Sequence, residues 1–350
     1  MKLSGFLPSN ENSSLITVSF SEISWKMQEE RYVPYHLIIF FGKMKNNDSF
    51  AEYFDKKEGL VSFYLQIFLF AVLMILGFFY HHLSYSVPEL ILFLLCIFIS
   101  IRFLRSWYLS IYRNARFFKH YGRFLYLSSL PLLVTLLYLL ILLNAASWDV
   151  KGIYIYFYIF MGITWLALGL NGVLLAVEFS YRDDALLGEN KGAVAVLAGA
   201  LVGIGVIFAG GNIGDGPGWW TIVLASGIGT VLWLLLLHLF DTSTQVITKI
   251  VRERTWPSGI HLGSYLAASG LIFARASGGD WVSAVATVTD FSTAWPVLPL
   301  FLIALCFEYF CFQKAHAKNN VQRFALIAKL VGALYLLYSV AVISLLPSIF

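Results

Sequence analysis

Charge is scarce in this sequence. Only 13% of its 350 residues are Asp, Glu, Lys or Arg, against roughly 25% in an average soluble domain. With 59% of residues hydrophobic, a soluble core could not hide the apolar surface, so a water-soluble enzyme is excluded and the chain reads as an integral membrane protein. Cysteine is nearly as rare. Cys96, Cys306 and Cys311 lie in or at the ends of apolar runs and form no CxxC pair, which excludes a disulfide framework and a zinc ribbon and leaves core packing as their expected role. The opening "MKLSGFLPSNENSS" lacks the apolar core of a signal peptide. HExxH, GxSxG and P-loop motifs are absent. No catalytic constellation, metal site or cofactor is therefore expected, and no nucleic-acid module accompanies the basic residues.

What is present is long apolar runs. A bilayer core takes about 20 such residues as helix, and nine segments qualify: 61–80, 88–104, 124–144, 153–178, 192–209, 219–240, 259–275, 292–312 and 324–348. The semi-polar "WVSAVATVTDF" at 281–291 reads as a re-entrant or interfacial piece. Of the 24 Lys and Arg, only Lys151 and Arg275 fall in loops on one side, Lys329 lies within the last run, and the others fall on the opposite side. That bias predicts a cytoplasmic N-terminus and an external C-terminus. Trp148, Trp219, Trp220, Trp281 and Trp295 sit at the outer ends of the runs, as an interfacial aromatic belt would.

Residues 1–60 differ in kind. "LITVSFSEISW" alternates apolar and polar residues, and "YHLIIFF" reads as a second strand. They predict a small β-containing cytoplasmic appendage, packed on the membrane domain or on a membrane or cytoplasmic protein partner. A three-span segment, 61–150, follows, and then a membrane domain, 151–350. The loop "RFLRSWYLSIYRNARFFKHYGR" interleaves bases with aromatics. Arg105, Arg113, Arg116 and Lys119 are therefore expected at anionic lipid headgroups.

The second half repeats itself. "ALVGIGVIFAGG" at 200–211 matches "YLAASGLIFARASGG" at 265–279, and "KLVGALYLLYSV" at 329–340 continues the series. Small residues keep step in each copy: Gly199 and Gly203, Ser264 and Ala268, Ala328 and Gly332. Each pair has the small-xxx-small spacing that lets membrane helices touch. Each unit holds two spans, so the copies are predicted to run parallel.

The stretch "ENKGAVAVLAGALVGIGVIF" and, more weakly, "TWPSGIHLGSYLAASGLIFARA" resemble the YjfL-like family of uncharacterised bacterial inner-membrane proteins, over about 155–280. The resemblance rests on an Asn and small residues opening a Gly-rich span. The second copy departs from it at Thr255 and Pro257. The resemblance implies a bacterial inner membrane and a small-residue helical bundle, and no activity.

Ionisable residues inside spans are functional candidates by default. Glu308 and Lys329 fall at matching depth on the two arms of the last hairpin, as an ion pair or a relay. Glu178, Asp241 and Glu308 recur near one end of each unit, as a vestibule ring or as ordinary helix-end polarity. Asn171 is expected to bond across helices and His238 to sit at the interface. His81 and His82 lack a second histidine at suitable depth, so no haem site is expected. Asp183, Asp184 and Glu189 read as a capping loop.

The architecture expected is thus an all-α polytopic bundle of about nine spans with parallel two-helix repeats. Its expected function is a non-enzymatic scaffold or complex subunit in the bacterial inner membrane, packing or forming homo-oligomers through small-residue faces. The alternative is an ion channel or transporter whose polar intramembrane residues line a cavity facing the cytoplasm.

Overall fold

The computed structural model describes residues 86–114, 121–146, 150–188, 190–312 and 321–345. The expected β-containing appendage, the first run at 61–80, His81, His82, Trp148, Glu189, Arg116 and Lys119 lie outside the described residues. Among those described there is no strand; Ala146 makes only isolated bridges to Ile213 and Gly214.

The helices are α1 (Ser86–Asn114), α2 (Tyr121–Ala145), α3 (Ile153–Val177), α4 (Lys191–Gly210), α5 (Trp219–Thr244), α6 (Val246–Arg252), α7 (Trp256–Ser277), α8 (Ala284–Asp290), α9 (Val297–Phe307) and α10 (Val321–Leu345). A π-helical turn, Tyr181–Leu187, follows α3, and another, Glu308–Phe312, extends α9. Six of these helices, α1 to α5 and α10, are long and apolar enough to cross a membrane. Ala284–Ala294 and Val297–Phe312, bent by 42° at Trp295–Pro296, make a seventh if they count as one span. The semi-polar 281–291 stretch is thus the first arm of a bent pair, and α8 has no buried residue. The run expected at 259–275 is helical, as α7, but is not among the apolar six. Its polar content is tolerated because other helices enclose it, leaving most of its residues buried.

Local chemistry starts and stops these helices. Asn190 caps α4, its Oδ1 accepting from the amides of Gly192 and Ala193 at 3.0 and 3.3 Å. Its Nδ2 donates to the Ile250 carbonyl at 2.6 Å, tying α4 to α6. Ser180 caps the first π turn, its Oγ accepting from the Asp183 amide while Asp184 accepts from the Ser180 amide. This is the reciprocal arrangement of a capping box, so Asp183 and Asp184 do form a capping loop. Glu178 and Gln245 end α3 and α5 in the left-handed conformation, at φ 55° and 52°.

α4 lies at the centre: 83% of its apolar window is buried, against 33% for α1, α2 and α10. It runs parallel to α7 at backbone contact. A Cβ on Gly199 would strike the Gly263 carbonyl, one on Gly259 would strike Gly192, one on Gly270 would strike Gly203, and one on Gly210 would strike Ala274. α10 lies parallel on the other side of α7, where a Cβ on Gly332 would meet Ser264 and the Ser339 hydroxyl donates to the Ala268 carbonyl at 2.8 Å. Gly199, Gly203, Ala268, Ala328 and Gly332 are buried and Ser264 half-buried. The faces of Gly199, Gly203 and Gly332 are therefore occupied by helices of the same chain, which removes them as surfaces for a second copy.

Without a hydrophobic force between helices in lipid, close packing and buried polar contacts hold such a bundle. The Ser100 hydroxyl donates to the Phe160 carbonyl and Thr164 to Cys96, joining α1 to α3. The Trp165 indole donates to Thr230, and the Trp233 indole to the Leu266 carbonyl and Ser269, each at 3.1 Å. At the far end, the loop after α4 pairs with the loop after α7. The Asp215 amide donates to Asp280 Oδ1 and the Trp281 amide to the Asp215 carbonyl, both at 2.7 Å. Gly214 and Gly279 precede the two aspartates with φ 101° and 140°, a conformation only glycine adopts without strain.

Cys96 is buried, as expected for a packing residue, whereas Cys306 is exposed and Cys311 only half-buried. The apolar run around Cys306 turns that side chain outward, so core packing does not describe it.

Replacing Gly199 with Ala should cost about 1–3 kcal/mol through overpacking at the α4–α7 contact. Leu337→Ala, on the exposed face of α10, should change stability by about 0.5 kcal/mol or less. Unfolding followed in detergent measures both.

Candidate functional site

Among the described residues one acid, Glu308, is fully buried in the bundle. It is 0% exposed, at the point where α9 passes into its π-helical turn. Single π turns widen a helix locally and concentrate at functional positions. This one turns both Glu308 and Phe312 inward, while Tyr309 and Phe310 face out.

A buried carboxylate needs a charge partner and hydrogen bonds. α7 supplies both. His261, also 0% exposed, places Nδ1 2.9 Å from Glu308 Oε2, and the Ser258 hydroxyl, one turn earlier, donates to Glu308 Oε1 at 3.0 Å. The other imidazole nitrogen, Nε2, lies 2.9 Å from the Tyr335 hydroxyl of α10. Phe312, Tyr335 and Phe240 wall the imidazole, with ring centroids 4.7, 5.6 and 6.3 Å away.

The row Ser258–Glu308–His261–Tyr335 satisfies its atoms in either of two proton arrangements. In one, imidazolium donates from both nitrogens, to the carboxylate and to the Tyr335 oxygen. In the other, neutral imidazole donates from Nδ1 and accepts the Tyr335 proton at Nε2. Nucleophilic catalysis is a poor fit to this order. A serine nucleophile must hand its proton to the imidazole, whereas the Ser258 hydroxyl points to the carboxylate.

The sequence matched Glu308 with Lys329. In the structure Glu308 takes His261, and Lys329 is exposed with Nζ 5.5 Å from the Trp256 ring centroid. A lysine stem is long enough to carry its charge to the rim, so only the shorter, planar histidine stays beside the acid. Asn171 does not bond across helices: its Nδ2 donates to the Ala167 carbonyl of its own helix at 2.7 Å. His238 is exposed, with Nδ1 2.7 Å from the Ala176 carbonyl, and links α5 to the end of α3. Glu178 is exposed and lies near enough to act electrostatically on Asp241, as do His238 and Lys249. The Asp241 carboxylate accepts from the Ile247 amide at 2.8 Å. With Glu308 turned inward, the three acids do not share one surface. Arg105 is exposed, and Arg113 lies near the end of α1.

His261, Ser258 and Tyr335 are the residues that the sequence reading missed. The signal available was depth. His261 lies near the start of one span and Glu308 near the end of the next, so a hairpin brings them level.

A recess at the opposite end of the bundle is lined by Asn212, Asp215, Thr221, Asp280, Trp281 and Asp290 among others. Its Asp215 and Asp280 are used in joining the two loops. Among the described residues no group of His, Cys, Asp and Glu has the arrangement of a metal site. Compared with known proteins, the chain matches no family model, no curated protein and no solved structure.

Glu308→Ala should cost about 3–5 kcal/mol, because it leaves a buried partner unpaired. Lys329→Ala should cost about 1 kcal/mol or less, the worth of an exposed cation–π contact. Unfolding midpoints of the two variants in one detergent separate them.

Proposed function

We propose that this protein is a non-enzymatic membrane scaffold or complex subunit, a polytopic helical bundle whose buried polar groups hold it together. The observation that carries this reading is the enclosure of Glu308 and His261, both 0% exposed and bonded to neighbouring helices. A pore or substrate cavity needs its intramembrane charges at water, and this acid is spent on a helix–helix contact instead. The use of Gly199, Gly203 and Gly332 in contacts within the chain fits a rigid platform. Partners would then meet other surfaces, residues 1–60 among them. The resemblance over about 155–280 supports a bacterial inner membrane for this role, and the one-sided distribution of Lys and Arg supports a cytoplasmic side for the basic loops.

A second reading, proton-coupled transport, is favoured by the same row in a different light. Ser258, Glu308, His261 and Tyr335 form a continuous hydrogen-bonded chain across neighbouring segments, and carboxylate–imidazole chains serve as proton relays in pumps.

Proteoliposomes carrying the purified chain decide between the two. Under imposed proton, sodium and potassium gradients the scaffold reading expects ion flux no greater than in empty liposomes. Flux that Glu308→Gln abolishes would overturn it in favour of transport.

A further inference from the structure

The end of the bundle at which α4, α7 and α10 begin carries an arrangement that the buried row does not use. Trp256 opens α7 and is half-buried. Lys191, the first residue of α4, places Nζ 5.4 Å from its ring centroid, and Lys329 of α10 places Nζ 5.5 Å from the same centroid. Two exposed ammonium groups from different helices thus converge on one indole. Each ammonium is attracted to the ring face, and the two like charges oppose one another.

The surroundings add positive potential. α4 and α7 are parallel and touch at Gly192 and Gly259, so their positive dipole ends lie side by side. Asn190 caps α4, but α7 has no side-chain cap. The hydroxyl of Thr255, at its N-cap position, is buried without a hydrogen-bond partner, and Pro257 brings no amide hydrogen. Arg252, the last residue of α6, and Arg254, in the turn leading into α7, are exposed. Of the acids at this end, Glu308 is taken by His261, Asp241 accepts from the Ile247 amide, Asp183 and Asp184 accept from Ser180, and Glu253, between Arg252 and Arg254, offsets one of their two charges. Lys249 is engaged with the Thr244 carbonyl.

The neighbours identify the ligand class. Lys329 lies two turns into α10, about 12 Å along the axis from Val321, and its stem brings the ammonium back to the indole that opens α7. Beside it, Leu326, Leu330, Leu334 and Leu337 form an exposed apolar stripe along α10. A cationic pocket at the head of an apolar stripe suits one amphiphile. We propose that Lys191, Lys329, Trp256 and the uncapped start of α7 bind the phosphodiester of an anionic phospholipid, whose acyl chains lie along the leucine stripe of α10. Basic pockets between membrane helices take such headgroups. Its residues come from α4, α7 and α10, whereas Arg105 belongs to α1.

The test uses the full chain in a neutral detergent, with its unfolding midpoint followed as lipid is added. Phosphatidylglycerol should raise the midpoint, whereas phosphatidylcholine and inorganic phosphate should not. K191Q/K329Q should weaken the phosphatidylglycerol dependence by tenfold or more, at about 1 kcal/mol per lysine, and K191R/K329R should keep it. Should the double variant fail to fold, K191Q and K329Q alone should each weaken it about fivefold. Equal responses of wild type and the glutamine variants would overturn the proposal. So would an equal loss in R105Q, which would mean diffuse surface charge, or a full shift with inorganic phosphate, which would mean a soluble anion.

Discussion

A carboxylate inside a membrane bundle constrains everything around it. Glu308 cannot be hydrated where it lies, so three side chains from two other helices must hold fixed positions about it: Ser258 and His261 on α7, and Tyr335 on α10 through the imidazole. Breaking one partner of such a group costs far more than the intact pair gains. The row therefore contributes less to raw stability than to register. It specifies how far along its axis each of these helices sits, because a shift of one residue would leave a charge unpaired in a dry site.

Register matters here because the other contacts of α7 tolerate no slippage either. On its α4 side the helices meet backbone to backbone, and Gly199, Gly203, Gly259 and Gly263 leave no room for a Cβ. Close approach of this kind gains dispersion contacts that lipid cannot match. α7 is thus held by shape on one side and by polar bonds on the other. This accounts for its unusual composition: it is the least apolar of the long helices in the second half, and it survives in a membrane protein because its neighbours, rather than lipid, surround it. The same enclosure separates the two ends of the bundle chemically. One end gathers Lys191, Arg252, Arg254 and Trp256; the other gathers Asp215, Asp280 and the paired indoles of Trp220 and Trp281.

Much of this was legible in the sequence, for identifiable reasons. α1 to α5 and α10 each hold a long, predominantly apolar run, and length alone marks them. The touching faces of α4, α7 and α10 follow from glycine, alanine and serine spaced four apart, a pattern with one physical use in lipid. The internal shift that aligns Gly199 with Ser264 also aligns Gly214 with Gly279, and both of those glycines adopt positive φ. What did not follow was the choice of partner. Formal charge favours Lys329 for Glu308, but the identity of the neighbour depends on which way each helix is turned and on which side chain is short enough to stay. Nor does composition reveal that the pair of helices before α10 is bent at Trp295–Pro296, since the polar residues of 281–291 are compatible with several depths. Asn171 illustrates the same limit: a mid-span amide can bond across helices or back to its own turn, and only the rotation of α3 decides.

The central claim is that His261 and Glu308 act as one unit that holds α7 to the end of the chain. A double-mutant cycle tests it most directly. His261→Phe, Glu308→Leu and the combined variant are compared with wild type by reversible unfolding in one bicelle composition. The account predicts a coupling free energy of about 1–3 kcal/mol, the double variant being less destabilised than the two single losses added together. Additivity to within about 0.5 kcal/mol would contradict it, since two residues that unfold the bundle independently do not form the contact on which this reading depends.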